Sequence, residues 1–160
     1  MKKRILTAVL AAALVTGTCA ATVSAKEEKT YTIGICQLVQ HDALDAATKG
    51  FEDAITEKMG DSVKFDEQNA QGDSNTCSTI INSFVSEGAD LILANATASL
   101  QAAAAGTSDI PILGTAVTEY GVALDLTDFD GTVGGNISGT SDLAPPVSYT
   151  HLTLPTKLEV

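Results

Sequence analysis

The sequence predicts an α/β domain built on a doubly wound, mainly parallel sheet, and three observations carry that expectation. From Tyr31 onward, short runs rich in β-branched residues alternate with longer stretches of helical periodicity. Consecutive strands are separated by helix-length segments, and a crossover of that length keeps the strands parallel, with helices on both faces. The runs ADLILANA and IPILGTAV are apolar almost throughout, the pattern of buried strands. A length of 160 residues allows one domain, and 44% hydrophobic residues without a tryptophan allow a core of small aliphatic side chains.

Each element can be justified in turn. TYTIGICQ, bounded downstream by turn-formers, is the first strand. HDALDAATKGFEDAITEKMG sets Leu44, Ala47, Phe51, Ala54, Ile55 and Met59 along one helix face and Asp42, Asp45, Glu52, Asp53 and Glu57 away from it, with Gly60 as its stop. SVKFDEQNA alternates Val63 and Phe65 with Lys64 and Asp66, as a strand near the sheet edge would. GDSNTCSTIINSFVSEG is the second helix: Asp73 or Ser74 caps it, Gly88 ends it, and Cys77, Ile80, Ile81, Phe84 and Val85 form its core-facing stripe. ADLILANA, the alanine-rich helix TASLQAAAAGTS and IPILGTAV complete a β-α-β-α-β-α-β order. The looser segment GVALDLTDFDGTVGGNISGTSD has room for one or two short strands.

The first 25 residues read as a secretory signal peptide. Lys2, Lys3 and Arg4 form a basic head, Ile5 to Val15 an apolar stretch too short for a permanent span, and Val23-Ser24-Ala25 a small-residue cleavage site. Cys19 is a candidate for lipidation, but Thr18 stands where the preceding box should end in Gly or Ala, so cleavage after Ala25 is favoured. Between Lys26 and Pro146, nineteen aspartates and glutamates face five lysines, which argues against nucleic acid and anionic membrane as partners. Cys36 and Cys77 are too few and too far apart for a metal or CxxC motif. They could pair in an oxidising compartment, although the place of Cys77 in an apolar stripe favours a plain core thiol.

The chain lacks GxxxxGK[ST], HExxH and GxSxG, and it has two histidines, so nucleophilic, metal and cofactor chemistry are not expected. GTVGGN lacks dinucleotide-loop spacing, and DFDGTVGGN fails as a calcium loop because Leu126 and Ile137 occupy positions that need acids. The positive signal is geometric, since open parallel sheets bind ligands beyond the carboxyl ends of their strands. Gln37 with Gln40, His41 and Asp42 follows the first strand, Asn95 with Thr97 and Ser99 the third, and Thr115 with Thr118 and Glu119 the fourth. Helix starts at Asp42 and Thr97 would aim free amides into the same crevice, a receptor for a carboxylate. Taken singly, Asp42 and Thr97 read as caps and His41 as a solvated loop residue; their convergence on one edge carries the argument.

The series IGICQLVQHDALDAATKGFEDAI, DEQNAQGD, DLILANATASLQAAAAGTSDIPILGTAVT and NISGTSDLAP resembles the N-terminal lobe of the extracytoplasmic substrate-binding proteins of ABC transporters, in the group similar to tryptophan- and tyrosine-binding lipoproteins. The resemblance covers Thr30 to about Pro145 and implies two Rossmann-like lobes, a type I periplasmic-binding-protein fold, with a ligand clamped between them. It implies that Gln37, His41, Asn95, Thr97, Ser99, Thr115 and Thr118 line the cleft and that Ser141 and Asp142 approach the hinge. Ala98 departs from the family by standing where a proline is often found at the first helical position. The implied function is solute binding, of an amino acid and in particular an aromatic one, for delivery to a permease with its ATPase. The implied protein is a monomer at the periplasm or cell surface, without cofactor, metal or catalysis. An extracellular ligand-sensing domain and a flavodoxin-like enzyme domain are the alternatives, the latter disfavoured by the secretion signal and the missing nucleophile.

The last residues differ in character from the rest. VSYTHLTLPT, Val147 to Thr156, matches one reading frame of a transposase adapter used in sequencing libraries. The expected organisation is therefore a leader over 1–25, an incomplete N-terminal lobe over 26–146 and a non-native tail over 147–160, in which His151 is no site residue.

Overall fold

The computed structural model describes residues 29–142; the expected leader with Cys19 and the adapter-like tail lie outside the described residues. The chain runs through β1 (Tyr31–Gln37), α1 (Asp42–Met59), a 3-10 turn (Gly60–Ser62), β2 (Val63–Asn69), α2 (Ser74–Glu87), β3 (Leu91–Asn95), α3 (Thr97–Gly106), β4 (Ile112–Val117), α4 (Tyr120–Ala123) and β5 (Ile137–Ser141). The five strands form one parallel sheet in the order β2-β1-β3-β4-β5. From β1 the chain steps outward to β2, crosses back over β1 to β3 and then winds the other way. The winding therefore reverses between β1 and β3, the topological switch point of this strand order.

Strand alternation divides the core into two layers. Ile33, Ile35 and Leu93 point to the α1 side, where Phe51 and Ile55 of the helix and Val63 and Phe65 of β2 pack against them. Cys36, Ile92, Ala94 and Ile112 point the other way, onto Cys77, Ile80, Ile81 and Phe84 of α2 and onto Leu100, Ala102 and Ala103 of α3. Burial on both sides explains the unbroken apolar run of β3, and the edge position of β2 explains its alternation.

Local chemistry sets the helix boundaries, with some departures from expectation. Asp73 caps α2 by accepting from the Thr76 amide at 2.8 Å, and Gly88 ends it in a left-handed conformation (φ 73°). At α1 the cap is His41 rather than Asp42: its Nδ1 accepts from the Ala43 amide at 3.2 Å, so an imidazole acceptor does the work assigned to the carboxylate. Ala54 and Val85 are exposed, beyond the edges of their expected stripes, whereas Thr48 is buried within the α1 face. The loop-rich segment yields α4 and one strand, β5, which joins β4 in parallel across a bulge between Gly114 and Val117.

Gly34 is a tight point between β1 and α2, because a Cβ there would lie 2.5–2.9 Å from ring atoms of Phe84. Gly34→Ala should therefore destabilise the chain by about 1–3 kcal/mol in urea unfolding. The same substitution in a Phe84→Ala background should cost far less, because the ring it strikes is gone. An equal cost in both backgrounds would contradict this packing.

Candidate functional site

At the carboxyl end of the sheet the register lines up one polar rung. Gln37 pairs with Asn69 on one side and Asn95 on the other, and Asn95 pairs with Thr115. Directly below lie Ile35, Leu93 and Leu113, so on the α1 side an apolar layer gives way to a polar one in a single step. Gln37 and Asn95 are 2% and 0% exposed, so their amides must find partners inside the protein. Gln37 Nε2 donates to Asp45 Oδ1 at 2.6 Å and to the Val39 carbonyl at 3.0 Å, while its Oε1 accepts from the Thr48 hydroxyl at 2.7 Å. Asn95 Nδ2 donates to the Leu44 carbonyl and to Thr48 Oγ1, both at 2.9 Å, and lies 3.3 Å from Gln37 Oε1. Three acceptors around one NH2 fix the orientation of the Asn95 amide, and its Oδ1 is left buried without a partner. The network ties the first turns of α1 to the switch point.

The helix starts differ in a way that bears on ligand binding. His41, Asp73 and Glu119 place acceptor side chains on the first amides of α1, α2 and α4, whereas α3 begins at Thr97 with no side-chain cap. Its first amides remain available at the positive end of the helix dipole, beside the polar rung. Thr97 is therefore the first helical residue and not a cap, and Ala98 occupies the second position, not the first. The turn into α3 is made by Ala96 at φ 89° and ψ 163°, a region almost restricted to glycine, at a cost of about 1–3 kcal/mol. Its amide donates to the Thr115 carbonyl and its carbonyl accepts from the Leu100 amide, both at 3.0 Å, so the strained turn is clamped from both sides.

The expected site residues fall into separate groups. Gln37 and Asn95 share the buried network, and half-buried Thr115 stands on the same rung. His41 and Thr97 are exposed at the starts of α1 and α3. Thr118 and Ser141 line a cavity of about 560 Å³ with Tyr120, Phe129, Val133 and Ile137, alongside β5 and to one side of the switch point. Ser141 Oγ donates to the Thr118 carbonyl at 2.6 Å, and the amide of exposed Asp142 donates to the Val117 carbonyl at 3.2 Å. Ser99 is the outlier, since its side chain is fully buried and its Oγ lies 3.6 Å from the sulfurs of both Cys36 and Cys77. Its hydroxyl belongs to the α2–α3 core, which leaves only its backbone amide for the crevice. Sequence reasoning missed Thr48, Asp45 and Ala96. A hydroxyl at position 48 within the Leu44, Phe51, Ile55 stripe was the one readable sign. Among the described residues no cluster of His, Cys, Asp or Glu could hold a metal ion, and no helix is long and apolar enough to cross a membrane.

A parallel sheet wound in this order, with helices on both faces, makes a Rossmann-like lobe, and its switch point carries the uncapped start of α3. Residues 32–152 match the family model of ABC transporter substrate binding proteins, a match that runs past Pro146, and the chain belongs to that family. It is 49% identical over 118 residues to a tyrosine-binding protein of Clostridioides difficile, covering 72% of this chain and 34% of that protein. Its fold is similar to the ligand-free, open structure of a Clostridium difficile substrate binding protein with adhesive properties (TM-score 0.69, 44% identity, 77% of this chain and 42% of that one). It is also similar to an ABC domain from Streptococcus pneumonia solved in complex with L-Trp (TM-score 0.66, 34% identity, 72% and 39%). The chain thus spans about a third of the length of the curated relative it matches.

Two substitutions test the construction of this site. Ala96→Gly should stabilise the chain by roughly 1 kcal/mol, because glycine adopts that turn without strain. Asn95→Asp should destabilise it by about 3 kcal/mol or more, because it sets a buried carboxylate against the Leu44 carbonyl and Thr48. Urea unfolding measures both, and a destabilising Ala96→Gly or a neutral Asn95→Asp would count against the geometry described.

Proposed function

We propose that the chain forms the N-terminal lobe of the solute-binding component of an ABC importer, which holds an amino acid, in particular an aromatic one, between this lobe and a second. The uncapped start of α3 at the switch point is the observation that carries the reading, and membership of the family agrees with it. A ligand carboxylate would rest on the amides of residues 97–99, where fixed backbone dipoles replace its hydration without reorganising. The strained turn at Ala96 and the network beneath it hold those amides in place. His41, Thr97, Thr115 and Thr118 would add side-chain contacts, with Ser141 and Asp142 near the passage to the other lobe. Gln37 and Asn95 would act from beneath, as supports of the wall.

Binding then consists of burying the ligand and closing the two lobes, after which the closed form is read by the permease and its ATPase, with no bond made or broken. The proposed location is outside the cytoplasmic membrane, with the leader removed after Ala25 and the binding protein acting as a monomer. The amino-acid class is suggested by the relatives, one of which is named for tyrosine and another solved with L-Trp.

Titration calorimetry of the complete two-lobe protein tests this reading with L-tyrosine, L-tryptophan and the corresponding amides. Removing the carboxylate charge should weaken binding by roughly 100-fold, the scale of losing two charge-assisted hydrogen bonds. Equal affinity for acid and amide would refute the assignment.

A further inference from the structure

Two buried nucleophiles take no part in the binding reading. Cys36 lies in β1 and Cys77 in the first turns of α2, and both side chains are fully buried in the layer opposite the polar rung. Each sulfur is 3.6 Å from the same Ser99 hydroxyl, so the two lie no more than twice that distance apart. Both belong to the same buried cluster, where they stand as free thiols. We propose that Cys36 and Cys77 close a disulfide tying β1 to α2 when the chain folds in the presence of a disulfide-bearing oxidant, and that they are sealed as thiols when it folds without one.

The covalent step balances as two thiol–disulfide exchanges. One cysteine loses its proton and attacks the oxidant's disulfide, forming a mixed disulfide and releasing the first oxidant sulfur as a thiolate. The second cysteine loses its proton and attacks the chain's sulfur in that mixed disulfide, which expels the other oxidant sulfur. Two electrons pass to the oxidant, which leaves as a dithiol carrying the two protons. An oxidised glutathione pair serves equally well, so the pairing itself does not depend on export or on transport.

Timing follows from burial. Attack requires a thiolate and access, and the native core denies both: burial pushes the Cys36 thiol up to about 12, and neither side chain reaches solvent. The bond therefore has to form while the chain is still open, and a chain that folds reduced keeps its thiols. Forty residues separate the pair in sequence, a loop long enough for its closure to restrict the unfolded chain appreciably.

The test uses the full chain with Cys19→Ser, which leaves Cys36 and Cys77 as its cysteines. It is unfolded in guanidinium, refolded either with mixed oxidised and reduced glutathione or with dithiothreitol, and then alkylated under denaturing conditions. Oxidative refolding should give an intact mass lower by about 2 Da, no alkylation, and tryptic fragments 30–49 and 65–157 joined by a bond lost on reduction. Its far-ultraviolet dichroism should match that of the reduced chain, and its Tm should be higher by roughly 10 °C. The reduced chain should react with a neutral disulfide reagent at least about 100-fold more slowly when native than in guanidinium. Cys77→Ser should abolish both the 2 Da loss and the gain in Tm. Two alkylatable thiols or glutathione adducts after oxidative refolding, or a bonded chain that melts lower than the reduced one, would overturn the proposal.

Discussion

Because β1 and β3 run in parallel register, Gln37 and Asn95 end side by side where the winding of the sheet reverses. Two amides buried at that point must be satisfied, and the nearest donors and acceptors are on the first turns of α1. Asp45, Thr48 and the Leu44 carbonyl supply them, which fixes the helix against the strand ends. On the far side of the rung, the Thr115 carbonyl receives the Ala96 amide and so holds the strained turn from which α3 departs. The direction of α3, and with it the direction of its free amides, depends on this one row of polar residues.

The same arrangement separates support from contact. Gln37 and Asn95 are the most conspicuous polar residues at the strand ends in the sequence, yet their side chains are spent inside the lobe. What the start of α3 leaves available is backbone amide, with His41 and Thr97 exposed at the starts of α1 and α3 and Thr118 set apart in the cavity beside β5. Under the proposed function, a wall made of fixed dipoles suits a charged group common to many small molecules, and it leaves discrimination among side chains to the rest of the proposed cleft.

Much of the fold was legible because burial leaves a period. The continuous run of β3, the alternation of β2 and the stripe of α2 each report how many sides of an element are covered. The less legible features lack such a period. The alanine-rich α3 has apolar residues nearly all round, so nothing in its sequence says that Ser99 turns inward to the cysteines while Thr97 turns out. His41 and Asp42 are both competent acceptors, and only the backbone decides which one caps. Alanine gives no hint of a positive φ at position 96, because that conformation is imposed by the strands on either side. The pairing of β5 with β4 is likewise a tertiary outcome, reached across a loop with no helical crossover of ordinary length.

Hydrogen exchange of the complete two-lobe protein, with and without a saturating aromatic amino acid, tests the central claim most directly. The account predicts that protection rises in the turns after β1, β3 and β4, above all at residues 96–100, and changes little along residues 129–139 beside the β5 cavity. Protection concentrated on that cavity, with the start of α3 unchanged, would contradict it.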